Sequence, residues 1–481
     1  MDPVAHAWRS VDSLPGPKGI PLLGNALQFK SHNMHLQFEA WAGQFGPFYQ
    51  LRLGSRRIMV VADHKATAAM LRDRPDGFSR SARIAEIWNE MGLPNGVFGA
   101  NGDAWQRQRR MVMASFDPGH VKRYFPALKE VSARLAERWN IAARDQVPID
   151  LQADLMRFTV DTIAGLAFGA KVNTLESDGD IIQQNLDRIF PALFKRMFSP
   201  IPIWRWLPSR ADRALAVSLV KVMEAVNSFV AQARERMALH PALREHPENL
   251  LEAMIAAADQ PGSGIDDSQV AGNVLTMLLA GEDTTANTLA WMIHLLWQNP
   301  EALAKAVAEV REVCGDARGL TLEHMARLDY VEACANETMR LKPVAPFIGF
   351  QSLRDSVVGG VAVPAGTMIL AVMRHDSISE EHVRNAAAFS PERWLDENNA
   401  AMNPASAKRI SMPFGGGPRI CPGRYLALLE MKMAMATLLG RFDIESLATP
   451  DGGEPREHMA LTMQPIGLRM RVNARPADSA A

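Results

Sequence analysis

The chain has 481 residues, and 47% of them are hydrophobic, so it is long enough and apolar enough to bury a large core. Its formal net charge of -1 excludes a whole-chain electrostatic footprint for nucleic acid. The three cysteines, Cys314, Cys334 and Cys421, exclude a disulfide framework and a cysteine-rich zinc site and favour a reducing, cytoplasmic location.

The N-terminal residues 1–13 contain no apolar run, so we predict a tail with neither a signal peptide nor a membrane anchor, and a soluble protein. The stretch Leu14–Gly24 that follows is rich in proline. No Gly/Ser-rich or charged linker interrupts residues 14–472, which predicts a single large domain. Residues 473–481 are predicted to form a flexible C-terminal tail.

The first predicted strands are Phe48–Leu53 and Arg57–Val61, which flank Gly54-Ser55 in the pattern of a β-hairpin. The stretch Val357–Val372 predicts a second hairpin region, and Leu468–Val472 alternates like a late strand. Helical periodicity fills most of the remaining chain, most clearly over Phe125–Ala142, Leu151–Phe168 and Leu215–Leu239. The sequence therefore predicts a mainly α fold with small β-sheets.

A tryptophan and an arginine share one face of a predicted helix at Trp105–Arg109. Both side chains can donate a hydrogen bond to a carboxylate. The alternative is a basic surface helix, which explains the neighbouring Arg107 and Arg110 equally well.

The longest predicted helix begins at a cap formed by Asp266 or Asp267 and runs to Gln298, where Asn299-Pro300 ends it and starts the next helix. At about 1.5 Å per residue it is roughly 45 Å long, about the width of the domain.

Inside this helix lies Ala280-Gly-Glu-Asp-Thr-Thr285, in which Ala280, Asp283 and Thr284 share one face. Gly281 costs about 1 kcal/mol of helix propensity relative to alanine, so we predict a locally opened helix with room for a small ligand. The alternative is a threonine pair that hydrogen-bonds back to the helix, beside an exposed acid.

Glu337 and Arg340 lie one turn apart on a predicted helix, and Arg393 follows in Pro391–Trp394. An i, i+3 pair of this kind is common on helix surfaces and carries little information by itself.

Cys421 stands in Phe414-Gly-Gly-Gly-Pro-Arg-Ile-Cys-Pro-Gly423, directly before a predicted helix over Tyr425–Met433. The glycines allow close approach to a flat partner, and the helix dipole favours an anionic sulfur. We therefore expect a thiolate that binds a metal. A buried structural cysteine is the alternative, but it explains neither the glycines nor Arg419.

The pattern F-x-x-G-x-R-x-C-x-G resembles the haem-binding loop of the cytochrome P450 family at every fixed position. The resemblance implies the family fold, with haem b between the long central helix and the cysteine loop. It implies that Cys421 ligates the iron and that Arg419, Trp105 and Arg109 bind the propionates. It also implies that Phe414 packs near the sulfur, and that Gly423 and Ala280 contact the haem.

The stretch Ala280–Thr285 resembles the A-G-x-[DE]-T-T motif of the same family. The resemblance implies that Thr284 hydrogen-bonds the dioxygen co-substrate and that Asp283 relays protons, which O–O cleavage requires. It also implies that Glu337, Arg340 and Arg393 form a buried structural network.

The function implied is that of a soluble, bacterial-type monooxygenase without a fused reductase, which inserts one oxygen atom into a hydrophobic substrate. Segments that line the pocket in relatives map to apolar residues here, and a fatty acid, terpenoid or steroid-like substrate all fit. These residues are Ile84, Ile87, Trp88, Phe347 and Ile348. Two other functions remain open: a peroxide-dependent oxidase or rearrangement enzyme, and a haem protein that binds ligands without turnover.

Partners are inferred from missing motifs. The chain contains neither a dinucleotide-binding motif in a strand-to-helix context nor a cysteine cluster for an iron–sulfur centre. We therefore expect electrons from a ferredoxin with its ferredoxin reductase, or from a flavodoxin. We further expect a monomer that binds no nucleic acid and touches a membrane at most peripherally, through Lys195–Trp206.

Overall fold

The computed structural model describes residues 8–116, 118–169, 172–176, 181–395 and 406–476. Helices form most of this part of the chain, as the periodicity predicts. The helices are α1 Met34–Phe45, α2 His64–Arg72, α3 Ala82–Glu90, α4 Gly102–Ser115, α5 Pro118–Arg144, α6 Leu151–Phe168, α7 Ile181–Leu186, α8 Ile189–Phe198, α9 Arg210–Leu239, α10 Leu250–Ala258, α11 Asp267–Gln298, α12 Pro300–Cys314, α13 Leu322–Ala326, α14 Asp329–Leu341, α15 Ala407–Ile410 and α16 Arg424–Arg441.

The strands form small sheets. They are β1 Arg9–Ser10, β2 Phe48–Leu53, β3 Arg56–Val61, β4 Phe78–Arg80, β5 Ile149–Asp150, β6 Phe347–Ser352, β7 Ser356–Val358, β8 Val361–Val363, β9 Met368–Val372, β10 Phe442–Ala448, β11 Arg456–Met459, β12 Met463–Ile466 and β13 Arg469–Ala474. Within the described residues the sheet orders are β2-β3-β9-β6-β4, β1-β8-β7, β10-β13-β5 and β11-β12. The predicted hairpins are confirmed at β2–β3 and β7–β8, whereas β9 leaves the second hairpin to pair in parallel with β3.

Both predicted tails are shorter than the sequence suggested. Arg9 and Ser10 pair in parallel with Val361 and Ala362, so part of the N-terminal tail belongs to a sheet. At the other end, β13 continues through Asn473 and Ala474, which pair with β10. These pairings connect residues far apart in the chain, which local composition does not reveal. Residues 1–7 and 477–481 lie outside the described residues.

The central helix α11 has the predicted bounds. A reciprocal capping box fixes its start: Asp266 accepts from the Gln269 backbone N–H at 2.8 Å, and the Gln269 side chain accepts from the Asp266 N–H at 3.1 Å. The helix packs against α6, and Thr159 of α6 donates to the Glu282 carbonyl at 2.9 Å. Most of α11 is buried, so it forms the axis around which the site is built.

The predicted local opening of α11 is wrong, because the helix is continuous from Asp267 to Gln298. Packing against α6 explains the glycine at position 281, because a Cβ there would lie 3.1 Å from Ile163 Cδ1. The glycine therefore permits close packing of two helices, and this offsets its low helix propensity.

One helix in the described residues, α9, is long and apolar enough to cross a membrane by length and composition alone. Of its apolar stretch, 33% is buried against the rest of the protein. Core helices of soluble proteins satisfy the same two criteria.

The carboxylate of Glu337 is fully buried and joins α14 to the turn around Arg393. It accepts from Arg340 Nε and Nη2 at 2.9 and 2.8 Å, from Arg393 Nε at 2.9 Å and from Trp394 Nε1 at 2.8 Å. Arg340 also donates to three backbone carbonyls, those of Ser377, Ala386 and Ala388. The surface pair suggested by spacing alone is therefore a buried network.

We expect Glu337→Gln to lower the free energy of unfolding by about 3–5 kcal/mol, because it leaves buried guanidinium groups without a countercharge. Urea unfolding followed by circular dichroism measures the change. The control is Glu392→Gln, which removes an exposed partner of Lys305 and should cost less than about 1 kcal/mol. Equal losses in the two variants would contradict a structural role specific to Glu337.

Candidate functional site

The loop before α16 holds Cys421 by backbone contacts. The Cys421 N–H donates to the Phe414 carbonyl at 2.9 Å, which closes the loop. Gly417 has φ 65°, and a Cβ there would lie 2.1 Å from the Leu71 carbonyl oxygen at the end of α2. Gly423 lies beside the sulfur, since a Cβ at this position would be 3.9 Å from Cys421 Sγ. The loop therefore packs tightly against the end of α2, directly before α16 begins.

Burial raises the pKa of the Cys421 thiol. The Gly423 N–H and the positive charges of Arg109 and Arg424 act in the opposite direction without outweighing it. The expectation that the free sulfur is biased toward the thiolate is therefore wrong, because desolvation exceeds the effect of the helix start. Coordination to a metal ion deprotonates a thiol outright, so the loop suits a ligand that ionises on binding.

Trp105 and Arg109 lie on α4 and face the loop, and their contact with the propionates stays a prediction. Arg109 Nη2 donates to the Ile420 carbonyl at 2.7 Å. Trp105 is buried beneath Arg419, whose guanidinium carbon lies 4.6 Å from the indole centroid. In the described structure Arg109 thus positions the loop and Trp105 supports Arg419.

Two further arginines, Arg74 and Arg80, accompany Arg419, and sequence reasoning missed both. Each of the three guanidinium groups lies over an aromatic ring: Arg419 over Trp105, Arg80 over Phe98 at 3.6 Å and Arg74 over Phe350 at 5.2 Å. None forms an ion pair within the residues that the structure describes. We call Arg74, Arg80 and Arg419 the arginine cluster.

The arginine cluster is electrostatically incomplete. Buried nitrogens without a hydrogen-bond partner in the described structure are Arg74 Nε and Nη2, Arg80 Nε, and Arg419 Nε and Nη1. Burial and the charge of Arg74 and Arg109 lower the pKa of Arg419 to about 9, and burial lowers the pKa of Arg74 to about 10. Buried cations of this kind require anions, so the cluster fits a ligand with more than one carboxylate.

Across the loop, α11 presents the predicted Ala280, Asp283 and Thr284. Thr284 Oγ1 donates to the Ala280 carbonyl at 2.7 Å. Asp283 Oδ2 accepts from Thr462 Oγ1 at 3.2 Å. Burial, and then the charge of Asp187, raise the pKa of Asp283 to about 7. This carboxyl can therefore gain and lose a proton near neutral pH.

Three more acids lie near this segment, and none of them stands at a fixed position of a sequence motif. Glu282 is 2% exposed and hydrogen-bonds Asp187, while burial and the charges of Asp283 and Asp187 raise its pKa well above the usual range. Glu430 of α16 hydrogen-bonds Thr285, and burial raises its pKa to about 8. Because α16 starts just after the cysteine loop, the Thr285–Glu430 bond couples the motif on α11 to that loop.

The predicted substrate-contacting residues are not brought together as one wall. Ile84, Ile87 and Trp88 are buried on α3, and Ile87 and Trp88 share an apolar cluster with Met277 of α11. Phe347 packs instead against Phe194 and Phe198.

Ile348 packs against a different apolar cluster, which includes Val11 and Met59. Neighbouring side chains on a strand point to opposite faces, so Phe347 and Ile348 of β6 pack against different apolar clusters. Their contact with a substrate stays a prediction.

Comparison with known proteins supplies a family. The family model described as Cytochrome P450 matches residues 14–471. Among curated proteins, the chain is 28% identical to Protein LUTEIN DEFICIENT 5, chloroplastic, of Arabidopsis thaliana, over 83% of this chain and 68% of that one. It is 27% identical to Cytochrome P450 97B2, chloroplastic, of Glycine max, over 92% and 83%.

A self-sufficient cytochrome P450 monooxygenase of Penicillium expansum is 26% identical over 98% of this chain, which spans only 44% of that longer protein. Among solved structures, the haem domain of cytochrome P450DA matches with a TM-score of 0.83 and 25% identity, covering 96% of this chain and 98% of that one.

We expect Arg74→Gln and Arg80→Gln to accelerate loss of haem, because each removes a buried cation that would face a propionate. Loss of one charge-assisted hydrogen bond, worth about 1.5–3 kcal/mol, corresponds to a rate increase of roughly 10- to 150-fold. Transfer of haem to an excess of a high-affinity acceptor protein measures the rate.

Arg72→Gln is the matched control, because Arg72 is exposed at the end of α2. Haem retention unchanged in both cluster variants would show that the arginine cluster does not face the propionates.

Proposed function

Because this chain belongs to the cytochrome P450 family, it is an oxygen-incorporating oxidoreductase that uses haem b, and we propose that its substrate is a hydrophobic organic molecule and its electron donor a separate protein. The observation that carries the proposal is the arginine cluster beside the Cys421 loop. Its unpartnered nitrogens fit the two propionates of a haem, and Cys421 would supply the thiolate. When bound, such a haem supplies an iron centre that activates dioxygen, and thiolate ligation favours O–O cleavage.

The part of the chain in the reaction is to hold and move protons. Asp283 carries a proton on its carboxyl group below about pH 7. Thr284 Oγ1, one helix position away, can rotate from the Ala280 carbonyl and accept a hydrogen bond in turn. Asp187, hydrogen-bonded to Glu282, is exposed and can exchange protons with solvent. We propose that these groups carry protons from the surface to the face of α11.

We propose a fatty acid as the favoured substrate among the three classes. A cleft of ≈ 800 Å³ lies between the β2–β3 turn, α3 and the segment around Pro200. Three arginines line it, and Asp12 and Glu86 pair with Arg57 and Arg83. Arg56 forms no ion pair within the described residues and donates only to the Ser199 carbonyl at 3.1 Å. A carboxylate on an apolar chain would complement this surplus cation.

A ferredoxin with its reductase, or a flavodoxin, is proposed as the electron donor. Arg110, Lys122 and Arg123 are exposed on α4 and α5. Since Arg109 on α4 binds the Ile420 carbonyl, this basic surface adjoins the cysteine loop and can attract an acidic donor. The Penicillium relative is described as self-sufficient. Reconstitution with a separate donor protein therefore tests this proposal.

A cytoplasmic, monomeric protein with peripheral membrane contact is proposed for the location and assembly. The sparse free cysteines fit the cytoplasm. Ile203, Trp206 and Leu207 are exposed before α9 and supply an apolar surface for the contact.

We expect a saturable change in the spin-state spectrum of the ferric protein on titration with long-chain fatty acids, because the substrate displaces water from iron. Methyl esters of the same acids are the matched control and should bind at least about 10-fold more weakly if Arg56 recognises the carboxylate. Product formed with dioxygen, ferredoxin and its reductase completes the test. A spectral response to terpenoids or steroids alone would refute the fatty-acid assignment, and oxygen-independent turnover would refute the monooxygenase.

The yield of product per oxygen consumed should fall as pH rises through about 7, because the raised pKa of Asp283 keeps the carboxyl protonated only below that pH. Asp283→Asn should lower the rate by about 10²-fold and abolish this pH dependence. Asp187→Asn removes a charge that raises the pKa of Asp283, so it should move the transition to lower pH. The same midpoint in wild type and Asp187→Asn would contradict this coupling.

A further inference from the structure

Two histidines and an aspartate converge away from the cysteine loop. His64 is the first residue of α2, Asp376 opens the 3-10 turn Asp376–Ile378, and His382 follows that turn. One potential ligand atom from each residue lies within 4.8 Å of the other two. The His64 and His382 ring centroids are 5.0 Å apart. We call these residues the His64–Asp376–His382 cluster.

The carboxylate of Asp376 organises the cluster. Its Oδ2 lies 2.7 Å from His64 Nδ1 and accepts from the His64 backbone N–H at 2.8 Å. Its Oδ1 lies 2.9 Å from His375 Nδ1 and 3.6 Å from His382 Nε2. The Asp376 side chain is 7% exposed and that of His64 10%, whereas that of His382 is 31% exposed. The cluster is thus buried on one side and open to solvent at His382.

We propose that the His64–Asp376–His382 cluster binds a divalent transition-metal ion of the zinc type. Two imidazoles and one carboxylate form a three-ligand donor set that zinc accepts, with water in the fourth position. Ligand atoms around tetrahedral zinc lie about 3.4 Å apart for bonds of about 2.1 Å, so small side-chain rotations suffice. Metal ions bind the neutral imidazole, so His64 would ligate through Nδ1 as the tautomer that carries its ring proton on Nε2.

His375 has a supporting role in this site. Its ring hydrogen-bonds both Asp376 Oδ1 and the backbone of Ala62. Both contacts fix the ring, so we assign His375 the role of orienting Asp376. Metal-bound carboxylates are commonly oriented by a hydrogen bond of this kind.

The position of the site gives it a structural effect. The metal would join the start of α2 to the turn that contains Ser377, whose carbonyl accepts from the buried Arg340. The other end of α2 contacts the cysteine loop at Gly417. An ion at the His64–Asp376–His382 cluster would therefore connect the Glu337–Arg340 network, through α2, to that loop and restrict the motion of α2.

The test is a calorimetric titration, with Zn²⁺ alone, of the haem-loaded protein from which EDTA has removed all other metal ions. We expect one ion per chain and a rise in Tm that saturates at one equivalent. His382→Ala and His64→Gln should each weaken binding at least about 10-fold and abolish the rise in Tm. His382 is partly exposed, and its removal disturbs no short hydrogen bond of the side chain.

His458→Ala is the matched control, because it removes one member of a second close histidine pair, whose rings stack 5.9 Å apart with His32. This variant should bind Zn²⁺ as the wild type does. Wild type without saturable one-ion binding below about 1 mM, or either ligand variant binding as tightly as wild type, would overturn the proposal.

Discussion

Glu337 lies with no exposure among the N–H groups of two arginines, a tryptophan and the Ser390 backbone. A carboxylate in such a position is stable only when every partner is in place, so the network defines the path of the chain from α14 to the turn around Arg393. The network thus holds two distant parts of the chain together.

The arginine cluster has the opposite electrostatic character. The Glu337 network satisfies its buried charges internally, whereas Arg74, Arg80 and Arg419 lie over aromatic rings and keep unpartnered nitrogens. Cation–π contacts hold these guanidinium groups in place without neutralising them. The buried charges of the Glu337 network therefore have their partners within the described structure, whereas those of the arginine cluster require a ligand.

The sequence was sufficient where the signal is local. The capping box at Asp266, the period of α6 and the glycine-rich loop at Cys421 each carry their own physical cause within a few residues. It was insufficient where the cause lies in a distant neighbour. The glycine at position 281 makes room for Ile163 of α6. Arg80 belongs to a short strand that matches no motif. The raised pKa of Glu282 depends partly on Asp187, which lies on another segment. The pKa of Cys421 likewise depends on burial, which no motif reports.

The incomplete arginine cluster links the folding of the chain to the supply of its cofactor. Bringing three cations together in a partly buried site is unfavourable, and an anionic ligand offsets this cost in free energy. A ligand that binds only the folded form shifts the folding equilibrium by mass action. The fraction of chains that are folded in a cell is therefore expected to follow the concentration of free haem, so that cofactor supply sets protein abundance.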